Sequence, residues 1–343
     1  MGVVAALTAD IQDLNVFDNI ICRNVSTSVF EISTTQARTG THSYKLYAVT
    51  NLSDTVSIHK NTPERADYYF RICFYFEDLN TERFNIYFRE GDRVHVTLVV
   101  SASAGTIAAY KSDVGTLLGT SSGVTVVTDQ WHCLEGYVKI HDTTGEVTLK
   151  LDGTQVLNLT SVDTRNGGTT GLIDNIAIQA SYSYGASFYL DDIVIRDDAW
   201  PGQGGLYVIT PSSDGSVDNW TASAGNQYEC VDDNPPNDYT DYISTGITTL
   251  NTKQLFGHGG LPDQTYDSIA FAAVLVKAKS TASGDGNIRP IIVNSGNYGN
   301  GTTVPLGPVT SRYLFSAFIV NPEGSAAWTE AEINATEFGV ETI

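Results

Sequence analysis

Two pairs of aspartates stand close together in the stretch FYLDDIVIRDDAWPG. Asp191 and Asp192 precede a short apolar run, and Asp197 and Asp198 follow it. Paired carboxylates can act as acid and base in sugar hydrolysis, or they can bind a divalent cation. Neighbouring side chains of a strand point to opposite faces, so Asp191 and Asp192 are predicted to face apart. At most one of them would then belong to a site.

The other acids and histidines form no recognisable catalytic motif. Glycosidases place two carboxylates at a set separation in a cleft, and no Glu-x-Asp-x-Glu run occurs here. Glu135, Glu146 and Asp152 are predicted at solvated strand or turn positions instead. His132 and His141 have no serine or cysteine of a nucleophile motif beside them. We therefore expect a protein that is not an enzyme, with a polysaccharide depolymerase as an alternative.

Short apolar or alternating runs, separated by turn residues, fill most of the chain. Examples are DYYFRICFYFE, RFNIYFRE and the meander WHCLEGYVKIHDTTGEVTLKLDGTQVLNLT, whose Thr-Gly and Asp-Gly steps are turn signals. The pattern predicts an all-β protein. One short helix is predicted near the C-terminus, where Thr329 and Glu332 have the spacing of a capping box.

The segment AWPGQGG, residues 199–205, is rich in proline and glycine and does not alternate. It predicts a boundary between two β-sandwich domains, a jelly-roll-like one at 1–200 and a second one at 201–343. The apolar runs IAFAAVLV and YLFSAFIV in the second part indicate that it has a core of its own.

The formal net charge is -20, and the acidic excess is shared between the two parts. Residues 1–200 have 24 acidic and 14 basic side chains, and residues 201–343 have 15 and 5. Affinity for nucleic acid comes mainly from cationic contacts to phosphates, so no nucleic-acid partner is expected. No apolar segment approaches the roughly 20 residues of a membrane helix, and the N-terminal stretch does not resemble a signal peptide. Assembly in a cytoplasm is predicted.

Four cysteines, Cys22, Cys73, Cys133 and Cys230, are far apart in the sequence. They show neither a Cys-x-x-Cys nor a Cys/His spacing, which argues against a zinc site and against a disulfide framework. The cysteines are predicted to be unpaired, with most of them buried as small apolar side chains.

The stretches WHCLEGYVKIHDTTGEVTLKLDGTQVL, LIDNIAIQ and SFYLDDIVI resemble the laminin-G-like and concanavalin A-like jelly roll, over residues 15–198. In carbohydrate-binding jelly rolls a structural calcium often joins an acid near the first strand to an aspartate on the last strand. The positions that match are Asp18 and Asp191. The resemblance thus implies structural calcium and no other cofactor, with a hydrogen-bonded turn contact as the alternative.

Residues 204–343 contain DNWTAS, VDDNPPNDYTDYIST and WTEAEINATEFGVE, and they resemble a domain of virion proteins of tailed bacteriophages. The resemblance implies a non-enzymatic structural protein that decorates the capsid or the tail. Its location would be the virion, and its partners would be other virion proteins and copies of itself. A contribution to attachment at the host surface is also implied.

Binding of host-surface glycans requires aromatic platforms beside polar groups. Tyr182 and Tyr184, in the predicted loop ASYSYGAS, are the candidate carbohydrate-binding residues, with ordinary packing as the alternative role. A carbohydrate-binding adhesin is therefore the first alternative function, and the depolymerase is the second.

Overall fold

The computed structural model describes residues 2–23, 28–48, 55–78, 83–167, 170–181, 187–237, 240–246, 250–281, 286–307 and 311–343. Contacts divide the chain into two units, Met1–Leu206 and Tyr207–Ile343. Strands form nearly all of the regular structure, and one short helix lies near the C-terminus, so the predicted all-β fold class is confirmed. Within the described ranges, no helix has the length and apolar character that crossing a membrane requires.

The described part of the first unit contains fifteen strands and two 3₁₀ turns, Ala9–Ile11 and Leu14–Val16. The strands are β1 (Val3–Leu7), β2 (Asn19–Arg23), β3 (Ser28–Ser33), β4 (Ser43–Ala48), β5 (Thr55–Arg65), β6 (Asp67–Phe76), β7 (Arg83–Glu90), β8 (Arg93–Ser101), β9 (Thr106–Lys111), β10 (Thr116–Thr120), β11 (Trp131–Lys139), β12 (Gly145–Leu151), β13 (Thr154–Val162), β14 (Ile173–Ser181) and β15 (Ser187–Arg196).

These strands form two antiparallel sheets. The first sheet has the order β13-β12-β11-β6-β15-β4-β3, with β1 also paired to β15. The second sheet has the order β10-β9-β8-β7-β14-β5-β2. Neighbours in each sheet are often distant in sequence, as expected of a sandwich whose chain crosses repeatedly between its two layers.

Alternating aromatic residues fill the space between the two sheets. On β7, Phe84, Ile86 and Phe88 are fully buried, and they face Phe70 and Phe74 of β6. Ring centroids are 5.3 Å apart for Phe74 and Phe84, and 5.4 Å apart for Phe70 and Phe88. Because side chains alternate along a strand, the residues between these inward positions must line the outer faces of the sandwich.

A disulfide joins Cys73 of β6 to Cys133 of β11, so the prediction that the cysteines are unpaired is wrong for these two. The two residues lie directly opposite each other in the strand register. Their separation of 60 residues concealed the pairing, because sequence spacing does not tell which strands become neighbours. Cys22 and Cys230 are free thiols.

The described part of the second unit contains ten strands, a 3₁₀ turn (Tyr228–Cys230) and one helix. The elements are β16 (Pro211–Asp218), β17 (Thr221–Ala222), β18 (Ile243–Ser244), β19 (Lys253–His258), β20 (Ala272–Ala278), β21 (Gly286–Asn294), β22 (Asn297–Asn300), β23 (Val304–Leu306), β24 (Arg312–Phe318), α1 (Glu330–Asn334) and β25 (Glu337–Thr342).

The main sheet of the second unit has the order β16-β19-β25-β21-β22, with β23 paired to β21. A ribbon of β20 and β24 covers it, and a separate small pair joins β17 to β18. One core cluster combines Val274 and Phe318 of the ribbon with Ile292 of the sheet, together with Trp328 and Ile333 around the helix. The second unit therefore buries its own core between two layers.

The capping box of α1 is present, as predicted. The Thr329 hydroxyl accepts the backbone N–H of Glu332, and the Glu332 carboxylate accepts the backbone N–H of Thr329 at 2.7 Å. We expect Thr329→Ala to lower the stability of the helix by about 1 kcal/mol, because the N–H of Glu332 loses its acceptor. Hydrogen exchange of the α1 amides measures the effect. Thr329→Ser keeps the hydroxyl and should exchange like the wild type; equal exchange in both variants would contradict the expectation.

Candidate functional site

The two predicted calcium ligands have separate sets of partners. Asp18 precedes β2, where its Oδ2 accepts the N–H of Asn61 at 2.8 Å and lies 3.1 Å from Nζ of Lys60. Asp191 is fully buried on β15 and accepts four hydrogen bonds, from the Thr8 hydroxyl and from three backbone N–H groups. Among the described contacts, the two carboxylates have no partner in common. Among the described residues, no group of three or more His, Cys, Asp or Glu side chains could hold a metal ion. Calcium binding stays a prediction.

Asp192 does not face away from Asp191, contrary to the alternation predicted for a regular strand. A β-bulge between Asp191 and Val194 and a φ of 50° at Asp192 break the period of two. Thr39 consequently contacts both carboxylates: its N–H donates to Asp191 at 3.2 Å and its hydroxyl donates to Asp192 at 2.8 Å. The two acids therefore share one buried environment.

A network of buried charged groups surrounds this pair on the outer face of the first sheet. Arg38 forms an ion pair with Asp192, and the Nε of Arg71 donates to the backbone carbonyl of Asp192 at 3.0 Å. Burial and the neighbouring Asp192 carboxylate raise the pKa of Asp191 to about 7. Burial also lowers the pKa of Arg71 to about 10. Both shifts express the cost of removing charged groups from water.

The network binds the segment 202–206, which follows the last strand. Glu135 of β11 accepts the N–H of Gly202 at 2.7 Å and the side-chain amide of Gln203 at 2.6 Å. Asp192 accepts the N–H of Leu206 at 2.6 Å, and Arg71 donates to the carbonyl of Gly202 at 3.0 Å. The segment predicted to be a linker thus lies along the first sheet, where Asp192, Glu135 and Arg71 bind it.

Tyr182 and Tyr184, the predicted sugar-binding residues, lie outside the described residues. His132, which has no predicted catalytic partner, contacts Asp152 at 2.7 Å and accepts the N–H of Val127 at 3.1 Å. These contacts connect the start of β11 to the adjoining turns, which is a structural role.

A different set of polar residues lies together on the outer face of the second sheet. We call it the polar face, and it comprises Ser57, His59 and Asn61 of β5, Asn175 and Gln179 of β14, and Asn85, Tyr87 and Arg89 of β7. The strands are neighbours, and their register aligns Asn61 with Asn175 and Arg89, and Ser57 with Gln179 and Asn85. The intervening residues, among them Ile58, Ile176 and Ile86, are buried in the core.

Ala177 separates His59 from Tyr87 within one row of the polar face. The register places His59 opposite Ala177, and Ala177 opposite Tyr87. Two strand spacings put the backbones of His59 and Tyr87 about 10 Å apart. Ala177 contributes only a methyl group between these two larger side chains, and it is 1% exposed, while His59 and Tyr87 are each 7% exposed.

A chain of hydrogen bonds fixes the state of His59. The Asn175 side-chain N–H donates to Asn61 Oδ1 at 3.0 Å, which leaves Asn175 Oδ1 to accept from Nδ1 of His59 at 3.3 Å. The Nε2 of His59 is then unprotonated and accepts the Ser57 hydroxyl at 3.0 Å. Burial lowers the pKa of His59, Asn175 opposes the shift, and the charge of Arg89 adds to it. The imidazole is therefore neutral near pH 7.

Two buried polar atoms on β7 lack a protein partner. The side-chain amide of Asn85 donates to Oη of Tyr87 at 2.8 Å, while its Oδ1 has no hydrogen-bond partner among the described residues. Nε of Arg89 is also buried and unpaired within the described ranges, although its Nη2 donates to the carbonyl of Asp92 at 3.3 Å. Burial, with smaller contributions from Asp113, raises the pKa of Tyr87, which keeps its phenol protonated.

The sequence contains an alternating pattern in the strands of this face, although the pattern matches no catalytic motif. In VSIHKN, FNIYFR and DNIAIQ, polar residues alternate with large apolar ones. Three such strands are not neighbours in the sequence, so alternation alone could identify the outward residues without showing that they meet. Only the sheet order brings them to one surface.

The described strands of the first unit form a sandwich of two antiparallel sheets. No family model matches the chain, and no curated protein sequence matches it. Similar solved structures include a cellulose-induced protein, 15% identical, with a TM-score of 0.40 over 52% of this chain and 89% of that chain. The two sheets confirm the β-sandwich predicted for the first domain; the bacteriophage origin stays a prediction.

Two further structures have a similar fold. An endo-β-1,4-glucuronan lyase from the fungus Trichoderma reesei is 13% identical, with a TM-score of 0.40, over 53% of this chain and 91% of that chain. A carbohydrate esterase from a Shiga toxin-encoding bacteriophage is 12% identical, with a TM-score of 0.40, over 57% of this chain and 99% of that chain. At these identities the likeness concerns the path of the chain alone.

Proposed function

We propose that the polar face binds a carbohydrate chain. Its amide, hydroxyl, imidazole and guanidinium groups are suited to pair with sugar hydroxyls, and the small Ala177 separates the larger His59 and Tyr87 in the register. The proposal corresponds to the carbohydrate-binding alternative from the sequence, with the site on other residues than Tyr182 and Tyr184.

The buried side-chain oxygen of Asn85 is the main observation in support of this proposal. Asn85 is 3% exposed, and its Oδ1 has no partner in the part of the chain that the structure describes. A buried polar atom without a hydrogen bond costs about 1–3 kcal/mol. A ligand hydroxyl that donates to this oxygen would remove that cost. An Asn selected only for packing would gain nothing from keeping an unsatisfied amide at this position.

A glycan array with the full-length protein tests the proposal. We expect the wild type to bind at least one glycan, and Asn85→Ala to weaken that binding up to about tenfold, the value of one hydrogen bond. Asn158→Ala is the matched control, because Asn158 is exposed on β13 of the first sheet. Absence of binding by the wild type, or equal affinity of the two variants, would refute the proposal.

The virion assignment is a separate proposal, and glycan binding would suit a particle that adsorbs to a cell surface. The Cys73–Cys133 disulfide supports it to a limited degree, since such bonds persist in oxidising surroundings outside cells. Mass spectrometry of purified particles tests it: hundreds of copies would indicate capsid decoration, about a dozen or fewer would indicate a tail position, and absence would refute the assignment.

A further inference from the structure

We infer that the polar face accepts a polysaccharide of uronic acids and cleaves it by β-elimination, with His59 as the base and Tyr87 as the acid. The inference rests on the proposed carbohydrate binding and names its substrate class. It departs from the expectation that the protein is not an enzyme. Three features carry it: the state of the imidazole, the position of the phenol, and the guanidinium beside them.

His59 has the form that a general base requires. Its Nδ1–H is held by Asn175, so the lone pair is on Nε2, which accepts the rotatable Ser57 hydroxyl. A neutral imidazole can accept a proton directly, and fixing one nitrogen orients the other. Asn175 acts through His59 and is therefore a positioning residue.

Tyr87 lies on the far side of Ala177 from His59 in the strand register. Its Oη accepts the Asn85 amide, and its phenolic hydrogen is directed to the Asp113 carboxylate, from which it must turn to reach a bound sugar. A base on β5 and an acid on β7 can act on two sides of one bound sugar unit. This arrangement matches elimination, in which a proton leaves one ring carbon while the oxygen on the adjacent carbon gains a proton.

Arg89 supplies the charge that a carboxylated sugar needs. It is near enough to His59 to lower the pKa of that imidazole, and its buried Nε has no partner in the described ranges. A carboxylate paired with this guanidinium would be partly neutralised, which makes the hydrogen on the carbon beside it more acidic. Because the whole chain has a charge of -20, an anionic polymer would be repelled elsewhere on the surface.

The residues of the polar face do not suit hydrolysis. Glycoside hydrolysis uses two carboxylates, and the eight residues of the face include none; Asp113, beside Tyr87, is a single carboxylate without a second one among those eight residues. Elimination needs none. It also needs no water, metal or redox partner, so the reaction is complete with the side chains that are present.

Nε2 of His59 takes the hydrogen, as a proton, from the ring carbon that bears the carboxylate. The electron pair left behind forms a carbon–carbon double bond, and the bond from the adjacent carbon to the glycosidic oxygen breaks. That oxygen receives the phenolic proton of Tyr87. Return of a proton from the imidazolium to the phenolate restores both groups, and the products are an unsaturated uronate and a shortened chain.

The pH dependence follows from the groups around each residue. Arg89 of β7 faces His59, and the Lys60–Asp18 pair lies beside its backbone. Since burial lowers the pKa of His59 below 6.5, the rate should fall only on acidification below that value. Tyr87, near Asp113 and Arg83, has a pKa raised above 10, so the alkaline loss lies beyond pH 10.

The test uses the full-length protein with polymannuronate, polyguluronate, polyglucuronate and polygalacturonate, and with a neutral glucan. We expect binding of at least one polyuronate and a rise in ultraviolet absorbance from the conjugated double bond. His59→Gln and Tyr87→Phe should each lower kcat by at least about 100-fold while they keep the binding affinity within a few-fold. His141→Gln, which changes an exposed turn histidine, should keep the wild-type rate.

Asn175→Ala separates positioning from catalysis. The hydrogen bond from His59 to Asn175 raises the pKa of the imidazole, so its loss should move the acid limb of the rate profile to lower pH while kcat falls. An unchanged profile would remove Asn175 from the mechanism.

The possible outcomes distinguish a failure of β-elimination from a failure of carbohydrate binding. Polyuronate binding without any absorbance change, or full activity in His59→Gln, overturns elimination and leaves carbohydrate binding intact. Binding of the neutral glucan alone overturns the uronate class and leaves the proposed function standing. If the wild type binds no glycan at all, both fail.

Discussion

Asp192→Ala should lower the free energy of unfolding of the first unit by about 3–5 kcal/mol, the range for breaking a buried ion pair. The carboxylate accepts from Arg38, from the Thr39 hydroxyl and from the N–H of Leu206, and all three would lose this acceptor together. Arg71, only 3% exposed, would also lose the negative charge that offsets its burial. The left-handed φ of 50° at this position adds a further cost for alanine, which lacks the tolerance of Asp and Asn.

Hydrogen exchange of the β6 and β11 amides in the full-length chain measures this loss without interference from the second unit. Asp142→Ala is the matched control: Asp142 forms an exposed ion pair with Arg165 at 3.3 Å, and such pairs contribute about 0–1 kcal/mol. Asp192→Asn keeps the backbone preference and removes only the charge, so it should lie between the two. Protection factors equal to those of the control would show that the network adds little stability.

Replacing both Cys73 and Cys133 with alanine should cost about 4 kcal/mol. The disulfide closes a loop of 60 residues, and the chain-entropy model assigns about that value to a loop of this length. Both cysteines are buried, at 0% and 3% exposure, between strands at the centre of the first sheet. The unfolded chain without the bond has more conformations to lose on folding, which is the origin of the cost.

Thiol labelling and unfolding experiments measure the same bond in two ways. The denatured, non-reduced protein should label at Cys22 and Cys230 alone, and reduction should expose all four thiols. Reduced wild type should then unfold like the double variant, while Cys230→Ala, in the second unit, should leave the first unit unchanged. Four labelled thiols before reduction would contradict the pairing.

The fold was largely accessible from the sequence because its signals are local. Alternating apolar runs with turn residues between them predicted strands, and Thr329 with Glu332 predicted the helix start; both patterns depend on residues a few positions apart. Sheet order is not local. It decides that Cys73 meets Cys133, and no spacing rule in the sequence contains that information.

The candidate functional residues were harder to predict from the sequence than the strands. Sheet order decides which of them meet, and a local bulge changes the direction of one side chain. Asp191 and Asp192 attracted attention as a pair of carboxylates, yet a bulge turns both into one buried network. His59 and Tyr87 drew none, because each stands alone in its strand as an ordinary polar residue. Their relation emerges only when β5, β14 and β7 lie side by side with Ala177 between them.

The attachment of residues 202–206 also affects how the first unit carries mechanical load. A force that pulls on the chain from Tyr207 onward acts first on Leu206, whose N–H is hydrogen-bonded to Asp192. Glu135 and Arg71 hold Gly202 and Gln203 at further points, on β11 and β6. The force is thereby distributed over three neighbouring strands, β11, β6 and β15, before it reaches the end of β15. These bonds should therefore resist separation of β15 from its sheet.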